Sequence, residues 1–169
     1  LINSASAYDQ ANMMETSELI LERQFKINFL TPYLLTQAFV QQCKKGDVIN
    51  IIDNKIAFNQ YQYSAYVLSK KSLAEFTRLS AVELAPDVRV NGIAPGVILP
   101  ASVRSQEYID WRVEGIPLKQ QGQTNNISQA LQYLLTNKFV CGQILYVDGG
   151  ESLTNDGQNF AKHDGYSKI

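Results

Sequence analysis

Three short apolar runs constrain this chain more than any other feature: DVINII at 47–52, VRVNGIAPG at 88–96 and GQILYVDGG at 142–150. DVINII reads as a strand apolar on both faces, so both faces must be covered. Between the runs lie stretches whose apolar residues recur at helical spacing, over 17–44, 63–84 and 126–137. Apolar strands alternating with helices predict a parallel α/β sheet with helices on both faces, a three-layer α/β/α architecture. LIN at 1–3 reads as the end of one more strand. Lys44-Lys45-Gly46 closes the first helix, Pro86 ends the second, and Asn126 is the expected cap of the third. The segment 101–124 reads as irregular or short helix, as a flap over a site would. No repeat or low-complexity linker interrupts the pattern, and a single domain is expected over 1–169.

Such sheets bind ligands at the carboxyl ends of their strands. Three positions follow directly on strands and would share that edge: the turn after LIN, Asp53, and Pro95-Gly96. The net charge of −1 leaves no electrostatic footprint for nucleic acid or an anionic membrane. Cys43 and Cys141 lack metal-ligand spacing, and the single histidine, His163, lies in a polar tail, so no metal is expected. Free thiols fit a reducing cytoplasm. No apolar run approaches the ~20 residues of a membrane span, and no signal peptide is visible.

Tyr66 and Lys70 stand one helical turn apart on one face. An ammonium beside a phenol favours the phenolate and lowers its pKa, which makes a useful proton donor. Alone, the pair is weak evidence and reads first as a packed tyrosine and a solvated lysine. Asn28 lies four residues before Pro32, which cannot return a hydrogen bond to the Asn28 carbonyl. A kink is expected there, with the carbonyl free for a water that could connect to Lys70.

NSAS at 3–6, the Asn28 helix, YxxxK at Tyr66–Lys70, RVNGIAPG at 89–96 and YVDGG at 146–150 come in the order and spacing of the short-chain dehydrogenase/reductases. The chain resembles that family from residue 1 to about 153. The resemblance implies a Rossmann-type, doubly wound fold and hydride transfer from a nicotinamide cofactor. It also implies Tyr66 as proton donor, Lys70 as its electrostatic partner and ribose ligand, and Asn28 as holder of a relay water. Asn3, Ser6, Tyr66, Lys70, Pro95, Gly96 and Ile98 would line the cofactor, the last three beside its carboxamide.

Two departures matter. Most of the family carries a serine thirteen residues before the tyrosine, where this chain has Asp53. A carboxyl suits the amino and ring nitrogens of a heterocycle better than a ketone oxygen. The pteridine reductases and dihydromonapterin reductases carry aspartate there, and NFLTPYLLTQAF, GIPLKQQ and VDGGESLT also resemble that group. In it, Ser6 falls near cofactor phosphate and pterin, and Tyr8 on an aromatic that stacks on the pterin. Asp53 reads otherwise as a cap of the following loop, and Tyr8 as a loop aromatic packing over the sheet.

The second departure is the family's opening strand, glycine-rich turn and helix, which grip the pyrophosphate and are not in this sequence. On the order of 80 residues would precede residue 1. The chain is then either clipped, given without its start, or a fragment, and residues 1–169 correspond to the C-terminal two-thirds of the fold. The threonine usual after PG is also not evident. NADPH is implied by the pteridine-reductase resemblance alone.

The expectation is a cytoplasmic, NADPH-dependent pterin reductase, homotetrameric through the helices at 17–44 and 63–84. The alternatives are a 3-oxoacyl-type carbonyl reductase and a non-catalytic fragment or regulatory paralogue. Trp111 in the flap is open between lid and packing anchor, and the tail at 155–169 could reach a neighbouring subunit's site.

Overall fold

The computed structural model describes residues 1–99 and 105–154; the tail at 155–169, and 101–104 of the expected flap, lie outside them. Four parallel strands form one sheet in the order β1 (Ile2–Asn3), β2 (Gly46–Ile51), β3 (Val88–Pro95), β4 (Ile144–Val147). The register pairs Asn3 with Asn50, Ile51 with Ile93 and Pro95 with Val147. All four carboxyl ends therefore open on one edge, as the strand pattern predicts.

Alternate residues of β2 and β3 serve opposite layers, which is why both runs carry apolar residues on both faces. Val48, Val88 and Val90 pack against Ala81 of α3 (Ser64–Leu84). Ile49 and Ile93 pack against Ala130 and Leu134 of α5 (Thr124–Thr136). α3 buries Tyr66, Lys70, Leu73, Thr77 and Ser80, the three-and-four spacing of a helix with one inward face. Polar residues bridge the same layer: Asn3 Nδ2 donates to Asn50 Oδ1 at 2.8 Å, and Asn50 Nδ2 to Thr77 Oγ1 at 2.9 Å.

The expected kinked helix is three pieces: α1 (Glu18–Phe25), a π-helical turn at Lys26–Leu30, and α2 (Thr31–Cys43). Where a simple loss of the Asn28 partner is expected, the helix instead widens by a residue. Thr31 donates its N–H five residues back to Lys26, and Pro32 then sits in the first turn of α2, where its missing N–H costs nothing. Asn126 is not the cap of α5. It is the third residue of the helix, and its Oδ1 accepts from the Gln123 N–H at 2.7 Å, so Gln123 is the cap. The flap contains α4 (Gln106–Glu114), capped by Ser105.

No helix among the described residues is long and apolar enough to cross a membrane. Among the same residues no group of three or more His, Cys, Asp and Glu side chains is placed to hold a metal.

Candidate active site

Asp53 lies two residues past β2 in extended backbone and caps the short 3-10 turn Asn54–Ala57 that follows. Its two oxygens do different work. Oδ1 accepts from the Lys55 N–H at 2.8 Å, and Oδ2 accepts from the Tyr66 hydroxyl at 2.5 Å. The loop-capping and the site readings of Asp53 are therefore both realised, one on each oxygen.

Tyr66 and Lys70 lie on the buried face of α3, where a four-residue step returns to the same side. Lys70 is only 2% exposed. Its Nζ donates to the Ile51 carbonyl at 3.0 Å and stands 5.9 Å from the centre of the Tyr66 ring. Burial pulls the ammonium down from 10.5 to about 8, with Asp53 partly opposing.

The Tyr66 hydroxyl moves opposite to the sequence expectation. It is pushed well above its ordinary value by burial, then by the negative charge of Asp53 and the hydrogen bond to it; a hydrogen bond with Ser6 works the other way. Burial and the Asp53 carboxylate in direct contact with the phenol outweigh the Lys70 ammonium, which donates to the Ile51 carbonyl.

Tyr8 stacks on Tyr63, with ring centres 4.8 Å apart and planes within 9°, and meets Tyr66 edge-on at 4.6 Å. Burial pushes its hydroxyl up to about 12 against a lowering by the hydrogen bond with Tyr63. Tyr8, Asp53, Tyr63, Tyr66 and Gly96–Leu99 line a cleft of about 560 Å³, closed by Tyr108, Ile109 and Arg112 of α4. Trp111 lies against Tyr108, with ring centres 5.9 Å apart.

Asn28 is completely buried, and its side chain rather than its carbonyl shows the clearer task. Oδ1 accepts from the Ala7 N–H at 2.8 Å, while Nδ2 is shared among the Ala7 carbonyl, Gln24 Oε1 and Ser69 Oγ at 2.9–3.0 Å. Ser69 Oγ donates in turn to the Tyr66 carbonyl at 2.7 Å. Asn28 thus ties the loop carrying Ser6 and Tyr8 to the turn of α3 carrying Tyr66. Asn3 commits its side chain to the asparagine ladder and not to the cleft. At Gly96 an added Cβ would stand 2.7 Å from the Asp148 Cβ, so close packing of two strand ends accounts for this glycine.

Sequence reasoning missed a polar network beside the cleft. Glu151, 1% exposed, accepts from Arg112 at 2.6 Å and from Asn54 Nδ2 at 2.8 Å. Asn54 Nδ2 also reaches Asp148 at 3.5 Å. The network joins the residue after Asp53, helix α4 and the turn after β4. Its members lie 39 to 97 residues apart, so no periodicity announces them. The adjacency of Asn54 and Lys55 to Asp53 is the one signal that could have drawn attention to part of it.

A family model described as enoyl-(acyl carrier protein) reductase matches residues 1–152. Dihydromonapterin reductase of Klebsiella pneumoniae is 31% identical over 139 residues, covering 79% of this chain and 58% of its own. NADPH-dependent aldehyde reductase 1 of Arabidopsis thaliana, a chloroplastic protein, is 31% identical over 160 residues, covering 88% of this chain and 54% of its own. The chain therefore spans a little over half the length of these curated relatives. The crystal structure of FolM alternative dihydrofolate reductase 1 from Brucella suis, in complex with NADP, superposes with a TM-score of 0.87 at 30% identity, covering 92% of this chain and 64% of that one.

Proposed function

Because this chain belongs to the short-chain dehydrogenase/reductase family, we propose that it serves the NADPH-dependent reduction of a pterin, dihydropterin or oxidised. The observation that carries the reading is the 2.5 Å hydrogen bond from Tyr66 to Asp53, at the carboxyl edge of a parallel sheet and beside an aromatic cluster. The similarity to dihydromonapterin reductase and to FolM supports it.

When bound, the reduced nicotinamide supplies a hydride to the carbon of a ring C=N. On this chain, Lys70 has ammonium donors to offer a ribose hydroxyl beyond the one used on Ile51. The main chain at Pro95, Gly96 and Ile98 would hold the carboxamide, with Ser6 near a phosphate and Asn3 supporting the strand end. Tyr8 would stack on the pterin.

The Tyr66 proton is spent on Asp53 without substrate. An amino or ring N–H entering the cleft competes for the carboxylate and frees the hydroxyl to face the ring nitrogen. Tyr66 then gives up its proton as the adjacent carbon gains hydride. The Lys70 cation offsets the phenolate charge. A water at the Asn28 carbonyl would return a proton through Lys70.

The same proposal includes a cytoplasmic homotetramer, supported by exposed Leu34 and Leu35 on α2 and by exposed Leu68, Leu79 and Val82 on α3. A second reading, carbonyl reduction, is favoured by the equal identity to the aldehyde reductase. NADPH oxidation assayed side by side with dihydrobiopterin, an aldehyde and an acetoacetyl thioester decides between them. The pterin reading expects kcat/KM at least a hundredfold higher for the dihydropterin. The reverse order establishes the carbonyl reading.

A further inference from the structure

Among the described residues three charged side chains line the cleft: Asp53, Lys55 and Arg112. Two of them are answered within the protein. Arg112 is neutralised by Glu151 at 2.6 Å, and both Asp53 oxygens accept hydrogen bonds. Lys55 is different. Among the described residues its ammonium forms no ion pair and no hydrogen bond; it lies 5.5 Å from the centre of the Tyr8 ring. A cation over a phenol is held more loosely than one on a carboxylate, so this ammonium is placed at the cleft yet exchangeable.

Its placement is fixed at the other end. The Lys55 N–H is bound to Asp53 Oδ1, so the carboxylate that would meet the ring and the Lys55 ammonium belong to one short turn. The cleft, about 560 Å³, falls in the range that takes a drug-sized ligand, with room beyond a bare two-ring heterocycle. The chain as a whole is slightly acidic, so an ammonium at the cleft does not simply reflect a basic surface.

We infer that Lys55 is the specificity-determining residue of this cleft and selects ring substrates whose tail ends in a carboxylate over those with an uncharged tail. The inference rests on the pterin reading. The anion has one competing source, a phosphate of the cofactor, and the test separates the two.

The experiment measures kcat/KM for dihydrofolate, whose tail ends in carboxylates, and for dihydrobiopterin, whose tail is uncharged. It compares the native protein, Lys55→Met and Lys55→Arg at low and physiological salt, and measures the NADPH Kd of each separately. Lys55→Met is expected to lower kcat/KM for dihydrofolate about tenfold more than for dihydrobiopterin, chiefly through KM. Lys55→Arg is expected to restore the ratio, and salt to shrink the difference. Equal losses with both substrates overturn the assignment, as does a loss confined to the NADPH Kd. If the native protein turns over neither pterin, the pterin reading falls and this assignment with it. If it turns over both and the ratio is unmoved by Lys55→Met, the assignment falls alone.

Discussion

The Tyr66 hydroxyl meets Asp53 Oδ2 at 2.5 Å across thirteen residues that carry the chain from strand end to helix. Replacing Asp53 by asparagine removes the charge with little change of shape. The Tyr66 phenol should then titrate lower, toward its ordinary value, because the negative charge raising it is lost. Ultraviolet titration of the phenolate band checks the direction. Turnover of a dihydropterin by Asp53→Ala should fall about a thousandfold, within the usual range for a positioned acid–base group. Unchanged turnover would remove Asp53 from the chemistry.

Lys70 makes a statement about pH. Its ammonium titrates near 8 in the fold and near 10.5 when unfolded. Below pH 8 both states hold the proton, and the cost of burying it is present in full. Between 8 and 10.5 the unfolded chain binds a proton the native one has released, so stability from this group rises with pH. Tyr66 and Tyr8 act oppositely above pH 10, where the fold retains protons that the unfolded chain has lost. Urea midpoints across pH 7–10 should show the rise in the native protein and lose it in Lys70→Met. Activity that needs the cation should decline as pH passes about 8.

Arg112 and Glu151 form a buried ion pair at 2.6 Å. Arg112→Met leaves the Glu151 carboxylate without its cation and should cost about 3–5 kcal/mol. The double change Arg112→Met with Glu151→Gln removes both charges and should recover a large part of that loss. Chemical denaturation of the four proteins gives the coupling directly. Additive losses would mean that the pair does not act as a unit.

Asn28→Ala withdraws the acceptor of the Ala7 N–H and the donor to the Ala7 carbonyl. An unsatisfied buried backbone group costs about 1–3 kcal/mol, and the loop bearing Ser6 and Tyr8 should loosen. Hydrogen exchange at the Ala7 amide is the direct readout. Protection equal to that of the native protein would contradict the assigned tie.

Strand and helix periods made the three layers legible, because each run of 47–52 and 88–96 feeds both faces of the sheet. The Asp53–Tyr66 contact was legible too, since a strand end and the first turn of a helix are local geometry. The direction of the Tyr66 shift was not. It depends on which charge lies nearer in space, and sequence placed Lys70 one helical turn away without showing that its ammonium reaches the Ile51 carbonyl. Glu151 was hidden for another reason: its partners come from a loop and a helix with no pattern in common. The Asn126 expectation failed by three residues, because an asparagine serves equally as cap or as the residue that bonds back to the cap.

The inward residues Gln24, Asn28, Pro32 and Thr36 fall four apart along α1, the π turn and α2. In a regular helix a four-residue step overshoots a full revolution by about 40°, so such a row would spiral away. The wide turn at Lys26–Leu30 takes up part of that excess. The row then works like the teeth of a zip: Gln24 engages Asp9, Asn28 engages Ala7, and Thr36 engages Asn3, in reverse order along the opposing strand of chain. A residue added to α2 ahead of Thr36, with no wide turn to absorb it, would swing Thr36 by about 100° away from Asn3, so the row accommodates an extra residue only where the π turn already holds one.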